Sequence, residues 1–275
     1  MGPSVPGRGG ASTPAGGGAG AGAQVPSTPR SASSKEYLRI EWRYPVHQEA
    51  EEAPVAGTVA RRARRALTRE EALRMIAGED PRPLLVLREC KWCNGTDKAL
   101  LGDGAGNEKT FLLARWFHCV KLPQDVLEDD HPFRNLFGKS NIEHLFVSSH
   151  DGQNHIPLES ERSRTELWEA MGTLLAEDYK VKHRTSLKKV TQLLDKFDVA
   201  DSRYQSIVAR RDEILEEEGP KSRKLKKVYR DLAKIEADLK QLHAEFGKAS
   251  VMELKRPVVA PAPEAAPAPV GEAGL

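Results

Sequence analysis

From Leu225 to Phe246 the seam residues Leu225, Val228, Leu232, Ile235, Leu239, Leu242 and Phe246 alternate three and four apart without a miss. That alternation averages 3.5 residues per turn, the period that keeps one stripe of a helix turned toward a partner helix. A strand would need a period of two. The stretch before it carries Leu187, Val190, Leu194 and Phe197, continued by Asp201, Tyr204, Val208, Arg211 and Leu215. Beside that row, Leu193, Ala200, Ile207 and Ile214 recur every seven residues. A stripe this wide suits a helix with more than one neighbour, or one with an antiparallel partner. Between the two stretches stands Glu218-Gly219-Pro220, where Gly can end one helix and Pro can open the next. The spacing predicts an antiparallel coiled-coil hairpin over residues 183–250, up to about 50 Å long at 1.5 Å per residue. Folding the chain about Gly219-Pro220 places Leu232 and Ile235 near Tyr204 and Ile207, and the α/β region before it is expected to take nothing from the second helix.

Charge blocks flank the turn. Glu216, Glu217 and Glu218 close the first helix, while Lys221, Arg223, Lys224, Lys226 and Lys227 lead into the second. Both placements oppose the helix dipole. The blocks are expected to neutralise each other across the turn, with a charged docking tip as the sharper alternative.

Only 39% of the 275 residues are apolar, too few for dense packing throughout, so part of the chain must lie outside a core. Composition places that part at the ends. Residues 1–34 hold nine Gly, five Pro and six Ser and no acid, which predicts a disordered tail. Residues 251–275 end in a Pro/Ala-rich run, PAPEAAPAP, expected to be an extended disordered arm. Lys plus Arg (42) nearly balances Asp plus Glu (40), a net charge of +2 that argues against a dedicated nucleic-acid binder. No run of about 18 apolar residues is present, so no membrane helix is expected. The first residues have no apolar core of a secretory signal. Three cysteines make no disulfide framework, and a cytoplasmic protein with reduced thiols is the expectation.

Residues 35–182 mix short apolar runs with turn signals and predict an α/β domain. Pro83 introduces the run Leu84-Leu85-Val86-Leu87, a buried strand by its continuity. Directly after it comes Arg88-Glu89-Cys90-Lys91-Trp92-Cys93-Asn94. At the junction of strand and helix, the first thiol of a C-x-x-C meets unpaired amides and the helix dipole, which stabilise a thiolate. The second, one turn on, can resolve a mixed disulfide. Downstream, residues 115–122 read as a second strand and 132–137 as a short helix. Leu145 to Leu158 reads as a hairpin turning at Asp151-Gly152, and Ser163-Arg164-Thr165-Glu166 as a capping box opening a further helix.

Over about residues 80–180 this order, together with Cys90-Lys91-Trp92-Cys93, resembles the thioredoxin-like superfamily. Leu38 to Trp42 and the helical sequence running to Ala77 look like that family's leading strand and helix. The resemblance implies a thiol–disulfide oxidoreductase with Cys90 attacking and Cys93 resolving. Three positions depart from the family's pattern. A proline is expected just before the hairpin, and the residues there are Ile142-Glu143-His144. The family's buried Asp falls on Leu84, and the Trp before the first cysteine is Glu89, whose charge should raise the Cys90 pKa while Arg88 and Lys91 offset it.

Other candidates have plainer readings. Cys119, in the middle of the second strand, is expected to be a buried structural thiol. A zinc site of Cys90, Cys93, His118 and Cys119 would need ligands 2.0–2.3 Å from the metal, about the distance a parallel second strand denies them. No metal and no cofactor is therefore expected. His144 could lie near the thiols, although a surface or half-buried role is the ordinary one. Gly102 to Gly106 lacks the Gly before Lys that a P-loop needs, and Arg61 to Arg65 reads as a basic helical face. Two function classes follow. One is a thiol–disulfide oxidoreductase whose coiled coil recruits a protein partner. The other is a non-catalytic thioredoxin-fold interaction protein, which the missing proline, the missing Asp and the large coiled coil favour, while the paired cysteines favour the first. The wide apolar stripe also leaves room for a second copy of the chain.

Overall fold

The computed structural model describes residues 29–46, 65–90, 101–102, 105–138, 142–158 and 163–255. Four strands form one sheet in the order β2-β1-β3-β4, with β1 Leu84–Arg88, β2 His118–Leu122, β3 Leu145–Ser148 and β4 Ile156–Leu158. β1 runs parallel to β2, in the register Leu85↔Cys119 and Leu87↔Lys121. It runs antiparallel to β3, which pairs antiparallel with β4. Pro157 sits in β4, the edge position where a missing amide is tolerated. Beyond β2 the chain adds a single bridge at Arg43, whose amide donates to Cys119 O and whose carbonyl accepts from Lys121, each at 2.8 Å. The expected strand at Leu38 to Trp42 is thus reduced to one parallel pairing, a residue later.

Every residue of β1 is buried, because both faces of the sheet are covered. Alternation divides its side chains. Leu84 and Val86 join Val120, Leu122 and Phe146 on one face, under α2 (Arg69–Ala77) and Phe133, Leu136 and Phe137. Leu85 and Leu87 join Cys119 and Val147 on the other, under α3 (Glu108–Ala114) and α4 (Arg164–Asp178). Capping boxes start α2 (Thr68 with Glu71) and α4 (Ser163 with Glu166). The β3–β4 connection turns through Gly152 at φ 78°, where a Cβ would stand 2.2 Å from Leu73 Cδ1. Glycine is required there on both counts.

Two long helices follow, α5 (His183–Glu218) and α6 (Leu225–Ser250). They pack along each other in opposite directions: near the turn Ile214 meets Leu225, Val228 and Leu232, with Tyr204 and Ile207 beside them, and at the far end Phe197 meets Phe246. Gly219 ends α5 at φ 76°, its amide on Leu215 O. Glu218 pairs with Lys224 and accepts from Ser222 Oγ, so charge is neutralised across the turn by at least this pair.

The far end of the pair does not stand apart from the sheet. Val190, Leu194 and Phe197 of α5, and Phe246 and Ala249 of α6, belong to the same core cluster as Leu85, Leu87, Leu112 and Met171. Trp116 Nε1 donates to Ser250 O at 2.8 Å. After α6 the chain returns to α4: Lys180 N donates to Glu253 O and Lys255 N to Asp178 O. The expectation that the α/β core takes nothing from the second helix is therefore corrected. A heptad stripe records that a helix has a neighbour, but not where that neighbour changes from a helix to a sheet.

A second correction concerns residues 29–34, which composition assigned to the disordered tail. Ser31 caps a short helix, α1 (Ala32–Lys35), and Ser34 is fully buried, its hydroxyl on Leu194 O and Asp198. Arg30 bonds to Glu108, Asp195 and Asp198. Acids on α3 and α5 supply what the segment's own composition lacks. Residues 1–28 and 256–275, and Arg61 to Arg64 of the basic run, lie outside the described residues.

Candidate functional site

β1 carries the chain from the bottom of the sheet to its top edge, and Glu89 and Cys90 emerge there. On one side lies the end of β2: Glu89 N donates to Leu122 O at 2.8 Å, and Lys121 Nζ pairs with the Glu89 carboxylate at 2.7 Å. On the other lies the segment leading into β3, where His144 O accepts from Arg88 N at 2.9 Å. Cys90 is half-buried and disulfide-bonded. Cys93 and the helix expected after Cys90 lie outside the described residues.

The place where a proline was expected is occupied by two buried polar residues, Glu143 and His144. One Glu143 carboxylate oxygen stands 3.1 Å from His155 Nε2, and the other accepts from Gly138 N at 3.5 Å. His155 Nδ1 lies 3.1 Å from Arg69 of α2, and its ring packs on Phe146 at 4.5 Å. Burial pushes the Glu143 carboxyl upward, but the bonds from His155 and the amide, with the His155 charge, outweigh it and hold the group below the usual glutamate value. Glu143 and His155 were not singled out in the sequence. The signal was there only for Glu143, a charged residue set directly against the apolar run Leu145-Phe146-Val147.

Arg88 was read as one of two cations offsetting Glu89. In the structure Lys121 pairs with the Glu89 carboxylate, and Lys91 lies outside the described residues. Arg88 is buried, and its Nε donates to Glu143 O at 3.4 Å. Burial lowers its pKa from the ordinary arginine value, with the Glu143 charge acting in the opposite sense.

His118 and Cys119 sit at the opposite end of the sheet. They pair with Leu84 and Leu85, six and five residues before Cys90, or about 16–20 Å at 3.3 Å per residue. His118 contacts Asp80 at 2.8 Å and Ile76 O at 3.0 Å. Cys119 is a free, buried thiol whose pKa burial pushes up to about 12. Cys90 and this pair are not brought together. Leu84, where the resemblance leads one to expect a buried Asp, is fully buried among apolar side chains beneath α2.

No family model, no curated protein and no solved structure matches this chain. What the site can do rests on its own geometry: a bonded cysteine at the top of a central strand, between a parallel neighbour and a polar, buried segment.

Proposed function

We propose that this chain is a thioredoxin-like thiol–disulfide oxidoreductase. The observation that carries the reading is Cys90, disulfide-bonded where the buried central strand leaves the sheet. The strand order supports it: a leading segment beside β2, a parallel β2–β1 pair and an antiparallel hairpin on the far side of β1. In the reaction, the Cys90 thiolate attacks a substrate disulfide, forms a mixed disulfide and expels one substrate thiolate. Cys93 then attacks Cys90 Sγ, closes the Cys90–Cys93 disulfide and releases the second. The substrate gains two electrons and the dithiol loses them.

The outer half of α5 and α6, beyond the shared core, acts as a coiled-coil arm that recruits a protein partner. No helix among the described residues is long and apolar enough to cross a membrane.

A second reading, an interaction protein without catalysis, is favoured by Glu143 and His144 in the place of the proline. Insulin reduction with dithiothreitol separates the two. The full-length protein is expected to speed precipitation of the insulin B chain at least ten-fold, and Cys90→Ser to abolish the acceleration. Equal rates with and without the protein select the interaction reading.

A further inference from the structure

Arg88 presents an imbalance that the fold does not resolve. Arg88 is only 8% exposed, at the end of β1. A guanidinium has five N–H donors. Among the described residues Arg88 makes one side-chain hydrogen bond, the 3.4 Å contact from Nε to Glu143 O, and forms no ion pair. The Glu143 carboxylate, whose charge reaches Arg88, is bonded to His155 and Gly138 instead. Glu89 is held by Lys121 on the other side of the strand. A buried charge without an anion is costly and is retained where something supplies one.

Cys90 lies two residues on, just past the end of β1, where the Glu89 N–Leu122 O bond at 2.8 Å still continues the ladder with β2; residues two apart along such backbone project to the same side. Arg88 is on the face of Leu84 and Val86, toward the segment 142–144. Cys90 acquires a negative charge there when its disulfide is reduced.

We propose that Arg88 is the counter-ion of the Cys90 thiolate, so that the buried guanidinium is neutralised only in the reduced protein. The inference rests on the oxidoreductase reading and names the residue that sets the reactivity of its nucleophile. Reduction by a dithiol opens the Cys90–Cys93 bond, oxidises the dithiol to its disulfide, and leaves Cys93 as a thiol. Cys90 remains a thiolate beside Arg88, and one proton goes to solvent. An adjacent cation lowers a thiol pKa. Among the described residues, the other charged or titratable groups around this pair are Glu89 and Lys121 from the strands, Glu143 and His144 from the segment before β3, and His155 with Arg69 behind them.

The test is the pH dependence of iodoacetamide labelling at Cys90 in the reduced, full-length protein, resolved by peptide mass, between pH 5 and 9. Arg88→Met is expected to move the labelling midpoint up by a pH unit or more, and to slow labelling at pH 6 about ten-fold. Arg88→Lys, which keeps the charge, is expected to hold most of the wild-type rate. Should Arg88→Met fail to fold, Glu143→Gln serves: removing a negative charge near the guanidinium should lower the midpoint. A wild-type midpoint in Arg88→Met, or in Glu143→Gln where that variant is used, overturns the inference alone and leaves the oxidoreductase reading standing. A wild-type protein in which Cys90 titrates at the free-cysteine value of about 8.5 overturns the inference and removes thiolate activation from the reading as well.

Discussion

Replacing Phe246 by Ala should destabilise the whole chain by about 3–5 kcal/mol, with far- and near-ultraviolet circular dichroism melting in one transition. Phe246 is fully buried. It stacks on Tyr37 at 3.8 Å, meets Phe197 at 6.3 Å and carries the Arg115 guanidinium over its ring at 5.2 Å. The same cluster holds Leu85 and Leu87 of the central strand, so a cavity at Phe246 opens between the long helices and the sheet. Leu232→Asp is the contrasting change. Its cluster of Ile214, Leu225 and Val228 lies near the turn and includes no sheet residue. An unpaired charge there should cost several kcal/mol of helical packing. The near-ultraviolet signal should persist, since all four tryptophans precede residue 183. Separate melting of the two signals in Phe246→Ala would mean that helices and sheet are independent units.

In the native, reduced protein, Cys119 should label with iodoacetamide at pH 7 about 10³ times more slowly than an unperturbed cysteine, because only the thiolate reacts. Burial is the cause: it pushes the Cys119 thiol up to about 12, and the sulfur faces Ala114 O at 3.5 Å inside the core. The rate should rise to the unperturbed value once urea unfolds the chain. Native labelling of Cys119 at the pace of Cys90 would contradict the placement of β2 within the covered sheet.

How much of this was legible depended on whether a residue's role is local. The 3-4 seam of α6, the caps at Ser163 and Gly219, and the buried run of β1 are written in neighbouring residues, and their periods and end signals survive folding unchanged. The shared core was not legible in the same way. Phe246 and Leu232 occupy the same seam, yet one faces the sheet and the other α5, and nothing local distinguishes them. The breadth of the stripe through Leu193 and Ala200 was the one hint of a second neighbour. The anchoring of Arg30 and Ser34 was hidden because their partners, Glu108 and Asp198, are far away in the chain. At the candidate site, Cys90 was marked by its spacing to Cys93 and by the strand before it. Arg88 was visible only as a charge. That it is buried follows from its place at the end of the covered β1, while Glu89 pairs with Lys121, which the register of a parallel neighbour brings alongside.

The central claim is that Cys90 belongs to an exchanging pair rather than a structural bond, and its reduction potential tests this most directly. Full-length protein is equilibrated in dithiothreitol redox buffers of graded ratio, quenched with acid, alkylated and weighed intact. The account predicts one two-electron transition, gaining two alkylated thiols assigned by peptide mass to Cys90 and Cys93, at about −120 to −270 mV, where catalytic pairs lie. A bond that stays closed to below about −300 mV, as structural disulfides do, or a Cys90 that never pairs with Cys93, would contradict it.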